Sequence, residues 1–137
     1  MGKVPEQRRL LRAKDLMDSR YAEPLDVAEV ARAAYMSKAH FSREFRRTFG
    51  ETPHQYLLTR RMERAAALLL TTGRTVSDIC GQVGLLSVGA FTTSFGRTFG
   101  LSPTAYRARF APAAHRARVP ACVLRAWGRP VRAEGSA

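Results

Sequence analysis

Cysteine and histidine are scarce in this chain, and the scarcity removes whole classes of chemistry. Two cysteines, Cys80 and Cys122, and three histidines stand among 137 residues. Two thiols cannot build a four-thiolate zinc site, and His40, His54 and His115 fall at no ligand spacing, so no metal or cofactor is expected. Cys80 sits where a helical pattern asks for a small core residue, and both thiols are read as reduced. Long apolar runs are missing too: none approaches the ~18 residues of a membrane span, and the opening MGKVPEQRR has no apolar signal segment. The expectation is a cytoplasmic protein with no membrane partner. Acidic side chains are the last shortage, 11 against 23 basic ones, and the resulting net charge of +12 calls for a polyanionic partner, most often nucleic acid.

The charge is unevenly placed. Residues 1–24 carry a net +2 and residues 25–64 a net +3, whereas residues 75–106 hold only Asp78 and Arg97. Seven arginines against Glu134 make the last 31 residues +6, half of the excess.

A stretch of the chain occurs twice. Residues 40–57, HFSREFRRTFGETPHQYL, and 90–107, AFTTSFGRTFGLSPTAYR, share eight identities in eighteen positions at a shift of fifty. Phe41, Phe45, Phe49, Gly50, Pro53 and Tyr56 thereby pair with Phe91, Phe95, Phe99, Gly100, Pro103 and Tyr106. Two copies are too few for a solenoid, so the reading is a small all-α protein built from a duplicated helical unit.

Helical spacing of Leu10, Leu11, Lys14, Met17 and Tyr21 gives an amphipathic opening helix that braces the first lobe. Asp26 with Glu29 has the side chains of a capping box, and Ser37 caps the next helix. In that helix, about 38–49, the Phe stripe faces inward and Ala39, His40, Arg43, Arg46 and Arg47 fall on the far side. A short helix, a turn and a second helix with a basic outer face make a helix-turn-helix, whose second helix enters the DNA major groove. The plain alternative is the solvated charged face of any small bundle, and the repetition speaks against it.

Residues 53–71 read as one linker helix about 28 Å long, with Tyr56, Leu58, Met62, Ala65, Ala66 and Leu69 for packing and Arg60, Arg61 and Arg64 left for solvent or phosphate. Thr75 and Asp78 then repeat Asp26 and Glu29 at an offset of 49, so one residue has been gained around 84–87. Ser87 or Leu86 opens the second recognition-type helix, and Ser102 with Pro103 starts a last short one. About seven helices follow. The organisation is 1–109 as a DNA-binding domain, with helix-turn-helix motifs at 26–50 and 75–100 joined by 53–71. Residues 110–137 form a basic Ala/Arg/Pro-rich extension, with one apolar cluster at 119–127 that could order on the body.

TFGETPHQYL, RMERAAALL and VGLLSVGAFTTSFGRTFGLSPTAYR resemble the DNA-binding domain of AraC/XylS-type transcription regulators, over about residues 24–109, and the spelling looks bacterial. The resemblance implies seven helices in two helix-turn-helix lobes. It implies base contacts from Ala39, Ser42 and Arg43, with Lys38, Arg46 and Arg47 near phosphates. In the second copy the matching positions are Val88, Gly89 and Thr93, with Arg97 toward phosphate. Members usually carry a basic residue where Gly96 stands and a serine where Leu86 stands.

The function this implies is sequence-specific binding of double-stranded DNA by a single chain, which regulates transcription and has RNA polymerase as a further partner. A linker of that length suits major-groove segments that recur about 34 Å apart, so a monomer suffices. The alternative is a sequence-tolerant structural DNA binder. An enzyme acting on DNA by alkyl transfer is a third class, and it lacks the reactive cysteine it needs.

Overall fold

The computed structural model describes residues 5–113, all helix and connection, with no strand among the described residues. Seven helices follow one another: α1 (Glu6–Ser19), α2 (Val27–Ala33), α3 (Lys38–Phe49), α4 (Pro53–Thr71), α5 (Val76–Gln82), α6 (Val88–Phe99) and α7 (Pro103–Phe110). They fall into two units that divide between Arg61 and Met62.

In the first unit α1 buries Leu10, Ala13 and Met17, spaced to share one face of a helix. Leu11, expected on that face, is 49% exposed, because it lies a full 100° round from Leu10. Lys14 belongs to the packing for a different reason. Its ammonium stands 5.9 Å over the Phe49 ring and 5.4 Å over the Tyr56 ring, and 3.8 Å from the Asp18 carboxylate. α1 does brace this unit: Arg9 Nη1 donates to the carbonyls of Ala34 (3.1 Å) and Tyr35 (3.2 Å), satisfying acceptors just past the C-terminal end of α2.

The caps are local decisions of the sequence. Asp26 caps α2 by accepting from the Ala28 amide at 2.9 Å, a bond to the second residue of the helix in place of the expected box with Glu29. Reciprocal capping occurs instead at α4, where Thr52 Oγ1 accepts from the Gln55 amide (3.2 Å) and the Thr52 amide donates to Gln55 Oε1 (3.1 Å). Ser37 opens α3 by accepting from the His40 amide, and Gly50 ends it at φ +85°, a left-handed conformation that costs a residue with a Cβ.

Phe41 and Phe45 of α3 are fully buried, with Phe45 at 4.6 Å from the Phe49 ring and 5.6 Å from Tyr56. Burial of each such ring stabilises by about 1.5–3 kcal/mol, so the stripe fixes which face of α3 is left outside. Arg60 and Arg61 turn inward, against the expectation that they remain for solvent or phosphate. Arg60 Nε lies 3.1 Å from Asp18, whose carboxylate also accepts from the Tyr56 hydroxyl. Arg61 donates to the carbonyls of Tyr21 (2.7 Å) and Glu23 (2.9 Å) and ties down the connection after α1.

The second unit repeats the first in detail. Phe91 and Phe95 are fully buried, Phe95 is 4.6 Å from Phe99 and 5.3 Å from Tyr106, and Gly100 ends α6 at φ +77°. The late part of α4 stands in for α1: Met62, Ala65 and Leu69, buried here, match Leu10, Ala13 and Met17 at an offset of 52. Residues 9–16, RLLRAKDL, and 61–68, RMERAAAL, share four identities in eight at that shift. The duplicated element is therefore larger than the stretch that announces it.

The residue gained in the second turn is Leu86. Met36 donates to the Ala31 carbonyl and Tyr35 to that of Arg32; Leu85 donates to Cys80 and Gly84 to Gly81, the same bonds shifted by 49. Tyr35 and Gly84 both take positive φ, 57° and 85°. The turns are thus equivalent through Leu85, and the next residue is Ser37 in one and Leu86 in the other. Ser87 caps α6, accepting from the Ala90 amide at 3.1 Å, so the cap that Leu86 cannot supply is present one position on.

Arg107 completes the second unit. It is 2% exposed and donates Nε to the Leu69 carbonyl (3.1 Å) and Nη2 to that of Thr72 (3.2 Å), satisfying acceptors at the C-terminal end of α4. The apolar cluster expected at 119–127 and the rest of the extension lie outside the described residues.

Candidate nucleic-acid interface

With Phe41, Phe45 and Phe49 committed inward, α3 shows the opposite edge. Lys38, Ala39, Arg43, Arg46 and Arg47 are exposed there, and Ser42 is half-buried beside them. Positions 39, 43 and 46 recur at helical spacing, so small, long and long side chains line one ridge with the Ser37-capped N-terminus at its head. His40, read from the sequence as part of the outer edge, is half-buried and joined to α1 by a 3.1 Å contact with the Glu6 carboxylate. That contact holds the Glu6 carboxyl below its ordinary range, chiefly through the hydrogen bond from His40.

Charge on this edge is lightly held. Arg47 is 80% exposed at its side chain and pairs with Glu44 at 2.9 Å, three residues back on the same helix. A solvent-exposed pair of this kind is worth about 0–1 kcal/mol, so the guanidinium can exchange Glu44 for a phosphate at little cost.

The same frame in the second unit presents a different surface. Val88, Gly89, Thr93 and Arg97 are exposed on α6, and Gly96 is half-exposed. Arg97 is its one charged side chain. A Cβ built on Gly96 meets nothing within 4 Å, and one on Gly89 meets only Ser87 Oγ at 3.6 Å, so neither glycine is demanded by packing. Leu86, one of the two residues expected to open this helix, is fully exposed just before the Ser87 cap instead. Its signal was in the chain all along, as the change of repeat offset from 49 to 50.

Cys80 is buried, its thiol lies 3.6 Å from the Leu85 carbonyl, and burial pushes its pKa up, the wrong direction for an attacking thiolate. Among the described residues no group of three or more His, Cys, Asp or Glu could hold a metal ion, and no helix is long and apolar enough to cross a membrane.

Comparison with known proteins places this frame. A family model described as a helix-turn-helix domain matches residues 30–109. LumQ of Photobacterium leiognathi, a probable transcriptional regulator, is 28% identical over 105 residues, 77% of this chain and 42% of LumQ. The regulatory protein SoxS of Salmonella typhimurium is 34% identical over 93 residues, 68% of this chain and 87% of SoxS. The chain thus spans less than half of LumQ and most of SoxS. Among solved structures, the DNA-binding domain of the global transcriptional factor AdpA, in complex with a target DNA, superposes with a TM-score of 0.70 at 38% identity, covering 82% of this chain and 96% of that one. With its two helix-turn-helix units, its matched residues and these relatives, the chain belongs to the AraC-type helix-turn-helix family of DNA-binding transcription regulators.

Proposed function

We propose that this protein binds double-stranded DNA sequence-specifically as a monomer, setting α3 and α6 into adjacent major-groove segments, and that the first unit reads most of the sequence. The observation that carries the reading is the contrast between two equivalent frames. The same Phe stripe and the same caps present Lys38, Arg43, Arg46 and Arg47 on α3 but Val88, Gly89, Thr93 and a single Arg97 on α6. Guanine O6 and N7 are read by arginine or lysine side chains, and only the first face offers several; small and apolar groups suit thymine methyls. Ala39, Ser42 and Arg43 are assigned to base edges of one half-site, and Val88, Gly89 and Thr93 to the other. Lys38, Arg46, Arg47 and Arg97 are assigned to phosphates. The target DNA bound by AdpA supports the class of ligand.

Selection of bound sequences from a random duplex pool tests this. The expected motif has one sharply defined half-site of a few base pairs and, about one helical turn away, a degenerate or A·T-biased segment. Two equally sharp half-sites would refute the division of labour. A sequence-tolerant structural binder is the competing reading, favoured by the net charge of +12 and the near-neutral α6 face, and it predicts no motif and equal affinity for selected and random duplex at a stated salt concentration.

A further inference from the structure

Leu86 stands out because the fold has found nothing for it to do. A residue just before a helix cap commonly packs on the fourth helical residue, a hydrophobic staple. In the first unit the residue before the cap is Met36, buried in the same cluster as Phe41, the fourth residue of α3. In the second unit the place before the cap belongs to Leu86, and the fourth residue, Phe91, is already fully buried. Leu85, the true counterpart of Met36 by its hydrogen bond to Cys80, is half-buried and takes the inward place. The inserted leucine is left 104% exposed, and Val88, two residues on, is 43% exposed.

This apolar pair heads the helix proposed to enter the second groove segment, at the N-terminal end that ordinarily meets base edges. We infer that Leu86, with Val88, is a specificity determinant that reads thymine 5-methyl groups at the second half-site. The inference rests on the proposed function and deepens it. Around the pair the surface is Ser87, Gly89, Ala90 and Thr93, all exposed, with no charged side chain among them. The methyl group of thymine is the one apolar feature of the major-groove floor, so it is the base-pair feature such a surface can favour. The cap on Ser87 fixes the start of α6, so Leu86 is presented from a defined backbone position.

The experiment uses the full chain and the duplex it selects from a random pool. Thymines of the second segment are replaced by deoxyuridine, which removes the methyl and leaves every hydrogen-bonding group in place. Wild type should lose about fourfold in affinity per methyl read, the value of one buried CH2 group. In Leu86→Ala the loss should shrink, and in the Leu86→Ala/Val88→Ala pair the same replacement should cost less than twofold. Both variants change exposed side chains, and unchanged thermal unfolding should confirm that they fold. A selected motif without T·A pairs in the second segment, no loss in wild type, or an equal loss in wild type and variants overturns the inference while leaving the proposed function standing. Equal affinity for selected and random duplex would overturn the proposed function itself.

Discussion

Arg43 and Arg107 show how one residue type is given opposite tasks by its place on a helix. Arg43 is exposed in the middle of the α3 ridge; Arg107 is buried and its charge is met by two backbone carbonyls. Arg43→Ala should weaken binding to the selected site by about 1–3 kcal/mol and relax preference at one or two base pairs, as loss of a base-edge contact does. Arg46→Ala and Arg47→Ala should instead weaken selected and random duplex alike and flatten the salt dependence by about one unit. Titrations on both duplexes at several salt concentrations separate the two patterns, and an equal loss on both for Arg43 would move it to the phosphate class. Arg107→Ala should leave the carbonyls of Leu69 and Thr72 without their donor and cost about 3 kcal/mol of stability, read from urea unfolding. A change below about 0.5 kcal/mol would show that water replaces the guanidinium there.

Among the helices, α6 carries an internal contradiction that α3 does not. Its 12 residues include Gly96 in the interior, costing about 1 kcal/mol relative to alanine, and Gly89 in the first turn. Added Cβ atoms would meet at most an ordinary contact, so no packing reason holds the glycines in place. Gly89→Ala and Gly96→Ala should therefore each stabilise the protein by up to about 1 kcal/mol in chemical unfolding. If both destabilise it, neighbours that relax onto the glycines have been underestimated. The proposed placement of α6 against DNA adds a second reading of the same variants, since a Cβ on the outward face also holds the helix away from the groove. A variant that is more stable yet binds more weakly would separate the two effects.

For the whole molecule, the distribution of charge predicts what can be removed. Every buried residue of the described part lies at or before Ala111, whereas residues 114–137 carry five arginines and Glu134. Deleting 114–137 should keep cooperative unfolding and helix content. It should also lower affinity for random duplex and flatten its salt dependence, because about four units of net positive charge leave. Circular dichroism with thermal melting, followed by binding at several salt concentrations, checks both halves. Loss of a cooperative melt would assign Val123, Leu124 and Trp127 to the core.

Much of the architecture could be read without coordinates because its signals are local. Phe41, Phe45 and Phe49 repeat every fourth residue, Ser37, Thr52 and Ser102 are side chains that cap by accepting from the amide three residues ahead, and Gly50 and Gly100 end helices by their own backbone freedom. The outward position of Lys38, Ala39 and Arg43 follows from the stripe alone, since a helix with one buried edge must expose the other. What resisted sequence reading were the partners chosen across the fold. Arg60 and Arg61 look like surface charge by periodicity, yet Asp18 and the carbonyls of Tyr21 and Glu23 lie within reach only once α1 and α4 pack together. The buried fork of Arg107 likewise depends on acceptors 38 and 35 residues away. The larger repeat was hidden for a different reason: α1 and the late part of α4 keep small and apolar residues at matching positions, and packing tolerates such exchanges while periodicity alone does not report their equivalence. The place of Leu86 was decided last, by two turns whose hydrogen bonds agree through Leu85 and leave one leucine over.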